Sequence, residues 1–502
     1  MQPSPIGESR PCRSFAGEAG LAAALALTAL SIFTLLGLFL ALNATMEVRL
    51  TDNFEARVQA AYAARAGLRH AGELLSGVEF DDLLRGPDGT WDNSPAYTAL
   101  ARSYGFRNPI DWITARRLDI MNPLDILQGQ SDDGLVNTGR YEVKNGTVLI
   151  PSIGIPLTAP DPYSAGGLTF ARYFVKVSDN NGEAPEVAMD SADNPFLDGD
   201  GTIIVRSLGI SPRIRETAGA AAQINAVAVY EARFKRHRTF DLQSALLVQG
   251  NEVVPSGSEM FSGNSFLISA GDDNFGLAVV DTAPGDGISP LQQIVSRLLP
   301  EQRPNIRGME RIPSVGDVTS SIQTDSDRAL LLDAAYLGDF ICCRLPRFAD
   351  HVLPGNQKWT SEAIPDLGSY DLTKQPGDPS QTPKITMVSG DLEIQGSASG
   401  AGILAIGGRW TGAGSLSFTG LILAMGAGEV DIRRLTLNLT GALYVVNLAE
   451  KSAPAGFGTP KLSIGPAVRI LLSKEAVRMS LRLIPPKQTS FREITTTTDP
   501  PE

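Results

Sequence analysis

The chain has 502 residues, 43% hydrophobic and 20% charged, which is enough for two or three packed domains and excludes a wholly disordered polymer. Its 55 acidic against 43 basic residues leave a formal charge of −12, which argues against nucleic acid as the main partner because phosphate binding needs concentrated Lys and Arg. Three cysteines, Cys12, Cys342 and Cys343, do not make a disulfide scaffold, and the three histidines, His70, His237 and His351, are scattered.

The first element is an uncharged run over residues 19–46. It exceeds the roughly 20 residues that cross a bilayer as a helix and the roughly 7–15 of a cleavable signal core. It reads as a retained anchor; cleavage near Ala44 would put Leu42 where a small residue is preferred. Arg10 and Arg13 favour a cytoplasmic N-terminus, opposed by Glu8 and Glu18. Helical character continues past the apolar run. "MEVRLTDNFEARVQAAYAARAGLRHAGELLSG" is rich in Ala, Leu, Glu and Arg, lacks proline, and spaces Leu50, Phe54, Val58, Ala61 and Leu68 at helical intervals. Together the two stretches predict one helix ending near Gly77. A helix that long suits packing against copies or relatives in a filament, with the apolar half in the centre and the amphipathic half rooting a head domain; without a partner for its Ala-rich face it would be a plain anchor.

A short polar leader with glycines, then "LTALSIFTLLGLFLAL", then a stretch carrying Glu47, Arg49, Asn53, Phe54, the alanines around Tyr62, and Glu73, resembles the N-terminal region of the PilX-type minor pilins of type IV pilus assembly. The resemblance covers residues 17–77. It implies a structural protein of a type IV pilus or pseudopilus, held in the bacterial inner membrane by a single pass with its head outside the cytoplasm. Its partners would be other minor or major pilins, the assembly machinery and the membrane. It also implies cutting of the leader by a prepilin peptidase after Gly17 or Gly20. The acid usual at the fifth mature position is missing: Ala22 follows Gly17 at that distance, and Leu25 follows Gly20.

The expected layout is a leader over 1–20, the helix over 21–77, a mixed and mainly β head over 78–380, a Gly-rich β-helix-like domain over 381–490 and a disordered tail over 491–502. Residues 78–135 break short apolar pieces with turn formers. From 139 to 250 the pattern turns to strands: "GRYEVKNGTVLI" with its Asn-Gly turn, "GGLTFARYFVKVSDNNG" and "GTIIVRSLGI". "AAAQINAVAVYEARF" fits a helix by composition and a long strand by its alternation. The intervening loop carries Asp190, Asp193, Asp198 and Asp200, hard oxygen donors of the kind calcium takes. Their spacing departs from the helix-loop-helix calcium pattern, so solvated turns are the first reading and a Ca2+ that pins a hairpin is the second.

Further on, "ISPLQQIVSRLL" and "SDRALLLDAAYLGDFICCRLPRF" predict short helices, the second holding Cys342 and Cys343 as a buried free-thiol pair rather than a disulfide or a soft-metal site. Apolar cores then start at Gly402, Gly420 and Gly441, roughly 20 residues apart. Stacked coils repeat a corner and an inward row at such a period, so residues 384–447 predict a short right-handed parallel β-helix or β-roll. A helix near Ser473 to Leu483 and the polar "TTTTDPPE" close the chain. The fold class is therefore a mainly β head on a long N-terminal helix. No HExxH, GxSxG, phosphate-loop or complete dinucleotide pattern is present, so the reading is non-enzymatic. The enzymatic alternative is an anchored envelope hydrolase acting on polysaccharide through paired carboxylates.

Overall fold

The computed structural model describes residues 16–85, 116, 142–143, 147–148, 155–161, 164–180, 198, 200–213, 224–285, 287, 289–309, 312–374, 380–449 and 456–495. The apolar and amphipathic stretches form one uninterrupted helix, α1 (Ala16–Leu74), of 59 residues and about 88 Å. Gly77, at φ +79°, turns the chain out of it, as a left-handed glycine after a helix does. A short helix, α2 (Phe80–Arg85), follows. The rest of the expected loop-rich segment, 86–135, lies outside the described residues apart from Arg116.

A two-residue pair, β1 (Glu142–Val143) and β2 (Thr147–Val148), forms antiparallel about the Asn-Gly position. The second half of α1 lies on a five-stranded antiparallel sheet of β3 (Ile155–Asp161), β4 (Ser164–Asp179), β5 (Thr202–Arg213), β6 (Ile224–Lys235) and the last strand, β24 (Lys487–Ile494), in the order β24-β6-β5-β4-β3. From Ile224 on, the ambiguous "AAAQINAVAVYEARF" is therefore a strand. Its period of two puts Ala226, Ala228, Tyr230, Ala232 and Phe234 in one buried cluster with Ala60, Ala64, Leu68 and Ala71 of α1. β24 corrects the tail: residues 491–494, expected disordered, are ordered as a sheet edge, with Phe491 stacked on Tyr230 at 5.1 Å.

In the β6–β24 ladder Lys235 pairs with Lys487, so residues 236–486 leave and re-enter the sheet at neighbouring positions. This long excursion is a body of parallel sheets built from two chain segments. The first supplies β7 (Ser244–Gln249), β8 (Leu267–Ser269), β9 (Phe275–Val280), β10 (Ile306–Arg307) and β11 (Val315–Asp317). A run of short helices over residues 319–347 then crosses to the far end. There the second segment starts with β12 (His351–Leu353), β13 (Gln357–Trp359), β14 (Lys384–Val388), β15 (Leu392–Ile394) and β16 (Ser397–Ile406). It continues through β17 (Arg409–Gly412), β18 (Ser415–Gly426), β19 (Glu429–Ile432), β20 (Thr436–Ala449), the short β21 (Gly456–Phe457), β22 (Lys461–Ile464) and β23 (Val468–Leu471).

One wall of this body runs β11-β9-β7-β20-β18-β16-β14-β12 and another β13-β15-β17-β19-β22, every neighbour parallel. The second segment docks on the first through β20 and β7, Leu443 to Val446 of β20 pairing with Leu246 to Gln249 of β7. At that joint the buried Tyr444 hydroxyl donates to Gln249 Oε1 at 2.5 Å, and Gln249 Nε2 donates to the Leu331 carbonyl of the crossover at 2.7 Å. The boundary expected at 380/381 therefore does not follow the sheets. Residues 244–317 lie in the same stack as the Gly-rich coils, and their irregular loops hid that membership.

The middle of the first wall, β9, β7, β14 and the second halves of β16, β18 and β20, is buried on both faces, which is why these strands read as continuous apolar runs. Leu404, Ile422 and Leu443 point into the coils with Trp359 and Trp410, while Ile403, Leu421 and Tyr444 meet the crossover and the helix Lys474–Arg482. Gly402, Gly420 and Gly441 stand in register at the bends of β16, β18 and β20, with φ of +114°, +136° and +145°. A Cβ on Gly420 would overlap the Gly402 carbonyl oxygen, and one on Gly441 the Gly420 carbonyl. In the crossover, Phe340, Ile341 and Leu345 fill the buried side of a π-helical turn. Cys342 and Cys343 are thereby left exposed and joined to each other, which corrects the expected buried free thiols.

Two outcomes follow. A fragment of residues 236–486 should fold alone and melt cooperatively in far-UV circular dichroism, because its ends lie on paired positions of the sheet. Gly420→Ala should cost about 3 kcal/mol in denaturant unfolding, the combined strain of a left-handed alanine and its carbonyl overlap.

Candidate functional site

Residues 21–55 of α1 are all exposed, the apolar window among them. Gly17 and Gly20 lie in the first turns of this helix. Glu47, Arg49, Asn53 and Phe54 follow the uncharged run and are exposed; Glu73, also exposed, sits near the opposite end of α1 beside His70. The structure does not bring these five residues together at one point. It distributes them along a rod.

The face of α1 that meets the sheet is the small-residue face: Ala56, Ala60, Ala63, Ala64, Gly67, Leu68 and Ala71 are buried. On β5, a Cβ at Gly209 would overlap the Ala60 carbonyl, and on α1 a Cβ at Gly67 would overlap Ser207 Oγ, so the seam exists only because these side chains are absent or tiny. The amphipathic half thus roots the head, as its pattern predicts, and the partner of its Ala-rich face is the chain's own sheet. Of the apolar set predicted to share a face, Leu68 is buried, Val58 and Ala61 are half-buried, and Leu50 and Phe54 are exposed.

What remains outside is a different row. Met46, Leu50, Phe54, Val58 and Tyr62 follow one another every four residues, and Met46, Leu50, Phe54 and Tyr62 are 62%, 65%, 70% and 63% exposed. Such i±4 rows are the ridges that pack into grooves of another helix. Burying one such side chain stabilises by about 1.5–3 kcal/mol. Sequence reasoning missed Tyr62; its four-residue spacing from Phe54 through Val58 was the available signal. Polar contacts flank the ridge and hold α1 in azimuth. Arg65 Nη2 donates to Tyr230 Oη at 3.2 Å, Tyr230 Oη donates to Glu493 Oε2 at 3.2 Å, and Arg57 pairs with Glu493 at 3.8 Å. His70 Nδ1 lies 2.9 Å from Tyr173 Oη; burial lowers the histidine pKa, partly offset by Glu73, and pushes the tyrosine up to about 12.

Of the four candidate calcium ligands, Asp190 and Asp193 lie outside the described residues. Asp198 and Asp200 are spent on turn closure: Asp198 Oδ1 accepts from Gly201 N at 2.8 Å and Thr202 N at 3.0 Å, and Asp200 Oδ1 accepts from Thr202 N at 2.7 Å. Asn180 Nδ2 donates to Asp200 Oδ2 at 3.0 Å, and the Asp198 amide donates to Asp81 Oδ1 at 2.7 Å. Burial pushes the Asp198 carboxyl up to about 7, with Arg236 opposing and Asp200 and Asp81 adding to the rise.

No protein-family profile matches the chain, and no curated protein matches it. Among solved structures, the competence-associated pilin ComZ from Thermus thermophilus aligns over 87% of this chain and 97% of that one, at 11% identity and a TM-score of 0.17. A score that low carries no argument about fold or function.

Asp198 provides a pH test. Its folded pKa lies above the ordinary 3.8, so the folded state holds the proton longer than the unfolded chain does. The stabilisation is complete below 3.8 and is lost as pH rises toward about 7. Asp198→Asn keeps an oxygen acceptor for Gly201 and Thr202 and should flatten stability against pH in that window by up to about 1.4 kcal/mol per pH unit, as measured by denaturant unfolding at stepped pH.

Proposed function

We propose that this chain is a pilin-like structural subunit of the minor-pilin kind, acting in a type IV pilus or pseudopilus. The first half of α1 anchors it in the bacterial inner membrane as a single pass. The ridge from Met46 to Tyr62 packs against other pilin helices. Residues 236–486 form a right-handed parallel β-helix carried outside the cytoplasm. A prepilin peptidase cuts after Gly17 or Gly20, in the first turns of α1, leaving Glu18 or Leu21 as the first mature residue.

The observation that carries this reading is the ridge itself. The uncharged run spans residues 19–46, and the nine residues 47–55 carry the helix about 13 Å further before Ala56 reaches the sheet. Large apolar side chains left in water over that length mark an interaction surface. A plain anchor has no use for them, and a parallel helix of a neighbour covers them. The β-helix reading is supported by the coil geometry, with 18 residues from Ser397 to its register partner Ser415 and 21 from Ser415 to Thr436. Right-handedness follows from the general hand of parallel crossovers.

Coexpression with a prepilin peptidase and minor pilins, followed by N-terminal sequencing and copurification, tests it. The expected result is a new N-terminus at Glu18 or Leu21 and stoichiometric pilin partners. Phe54→Glu and Tyr62→Glu should leave unfolding of the head within about 0.5 kcal/mol, since both side chains are exposed, yet reduce copurification at least tenfold. An uncut N-terminus together with no pilin partner would sink the reading.

A further inference from the structure

The crossover that straps the coil stack contains a π-helical turn, Phe340–Arg344, with two unlike sides. Inward, Phe340 packs on Phe240 at 4.9 Å, and Phe240 in turn packs on Tyr444 at 5.9 Å. Outward, Cys342 and Cys343 are exposed and bonded to each other. Asp339 stands beside them, a carboxylate oxygen and the two Sγ atoms lying within 4.8 Å of one another. Arg344 Nε donates to Asp339 Oδ2 at 2.6 Å, and its guanidinium lies 5.2 Å from the Tyr336 ring centroid. Among the described residues no other group of three His, Cys, Asp or Glu side chains meets this closeness.

We propose that Cys342, Cys343 and Asp339 form a redox-gated site for a thiophilic divalent cation, Zn2+ or Cd2+, closed while the cysteines are joined and opened by a dithiol reductant. Exposure is the first requirement, because a thiolate must reach a sulfur atom to open the bond. The reductant's two thiols supply two electrons and two protons; the Cys342–Cys343 bond breaks and the reductant closes its own disulfide. On binding, the cation displaces the two thiol protons to solvent. Two thiolates and one carboxylate fill three places of a tetrahedral site, and water takes the fourth. The buried side of the turn holds all three donors on a fixed base. An oxidising compartment outside the cytoplasm keeps the site closed until a reductant arrives.

The test uses the full chain in detergent with Cys12→Ser, which leaves Cys342 and Cys343 as the two cysteines. The protein is reduced with dithiothreitol, desalted under nitrogen and titrated with Cd2+, following sulfur-to-cadmium charge-transfer absorption in the ultraviolet. Reduced protein should bind one Cd2+ per chain, and oxidised protein should show no such band. Asp339→Asn should weaken reduced binding about tenfold while both thiols still react with a thiol reagent and the far-UV spectrum is unchanged. Three results would each overturn the proposal: no band after reduction, equal binding by the oxidised protein, or unchanged affinity in Asp339→Asn.

Discussion

The closeness of α1 to β5 governs how the rest of the molecule is arranged. Because a Cβ at Gly209 would strike the Ala60 carbonyl, helix and sheet can meet only along small residues, and the alanines at 56, 60, 63 and 64 supply them. A helix that spends its small face on its own sheet must turn its large apolar residues elsewhere. Here they face outward as the row through Leu50, Phe54 and Tyr62. Where α1 meets the head, from Ala56 on, Leu68 is buried with the alanines while Tyr62 stays on the outer face, in line with Leu50 and Phe54 that precede the contact. That alignment is what makes an outward-facing ridge available to another helix.

A second constraint acts within the parallel body. Its first wall is covered inside by the coil core and outside by the crossover and the helix Lys474–Arg482, so each strand must be apolar on both faces. β16, β18 and β20 also bend at Gly402, Gly420 and Gly441, and in register only glycine permits a bend with the preceding carbonyl so near. Ser480 Oγ donates to the Gly402 carbonyl at 2.8 Å and satisfies an acceptor at this corner. The stack closes only when β20 meets β7, two strands nearly 200 residues apart. Cooperativity therefore depends on the Tyr444–Gln249–Leu331 linkage as much as on local coil formation.

The long helix was legible because its signals are local: an uncharged run, no proline and a Gly77 stop. The glycine rhythm at 402, 420 and 441 was legible because it repeats, and the three glycines stand in register on adjacent parallel strands. What could not be read was long-range. Nothing local in "GSEMFSGNSFLISAGDDNFGLAVVD" says that Leu267 pairs with Arg469, since the two are joined only through the completed stack. β24 escaped for a similar reason: its partner β6 lies some 250 residues earlier, and its mostly exposed side chains lack a burial pattern. On the exposed row, Phe54 was named from the sequence and Tyr62 was not, because identifying the free face requires knowing which face the sheet takes. The aspartates at 198 and 200 accept hydrogen bonds from turn amides, and the buried environment of Asp198 depends on Asp81 and Arg236, distant in sequence.

The pairing of Lys235 with Lys487 gives the architecture its consequence. A body of 251 residues is inserted where a hairpin needs only a few, yet the β6–β24 ladder closes as though the insert were a turn. Its orientation is then set by a second, smaller set of contacts at the end of α1. The Gly77 amide donates to the Arg482 carbonyl at 2.7 Å, Glu79 pairs with Arg482, and Lys235 pairs with Asp327 at 2.9 Å. Two covalent crossings a strand apart would allow the body to swing; contacts at a third point prevent it. The same residues that end the helix therefore aim the parallel body, so a force or a partner acting along α1 is transmitted to the coils without passing through a flexible linker.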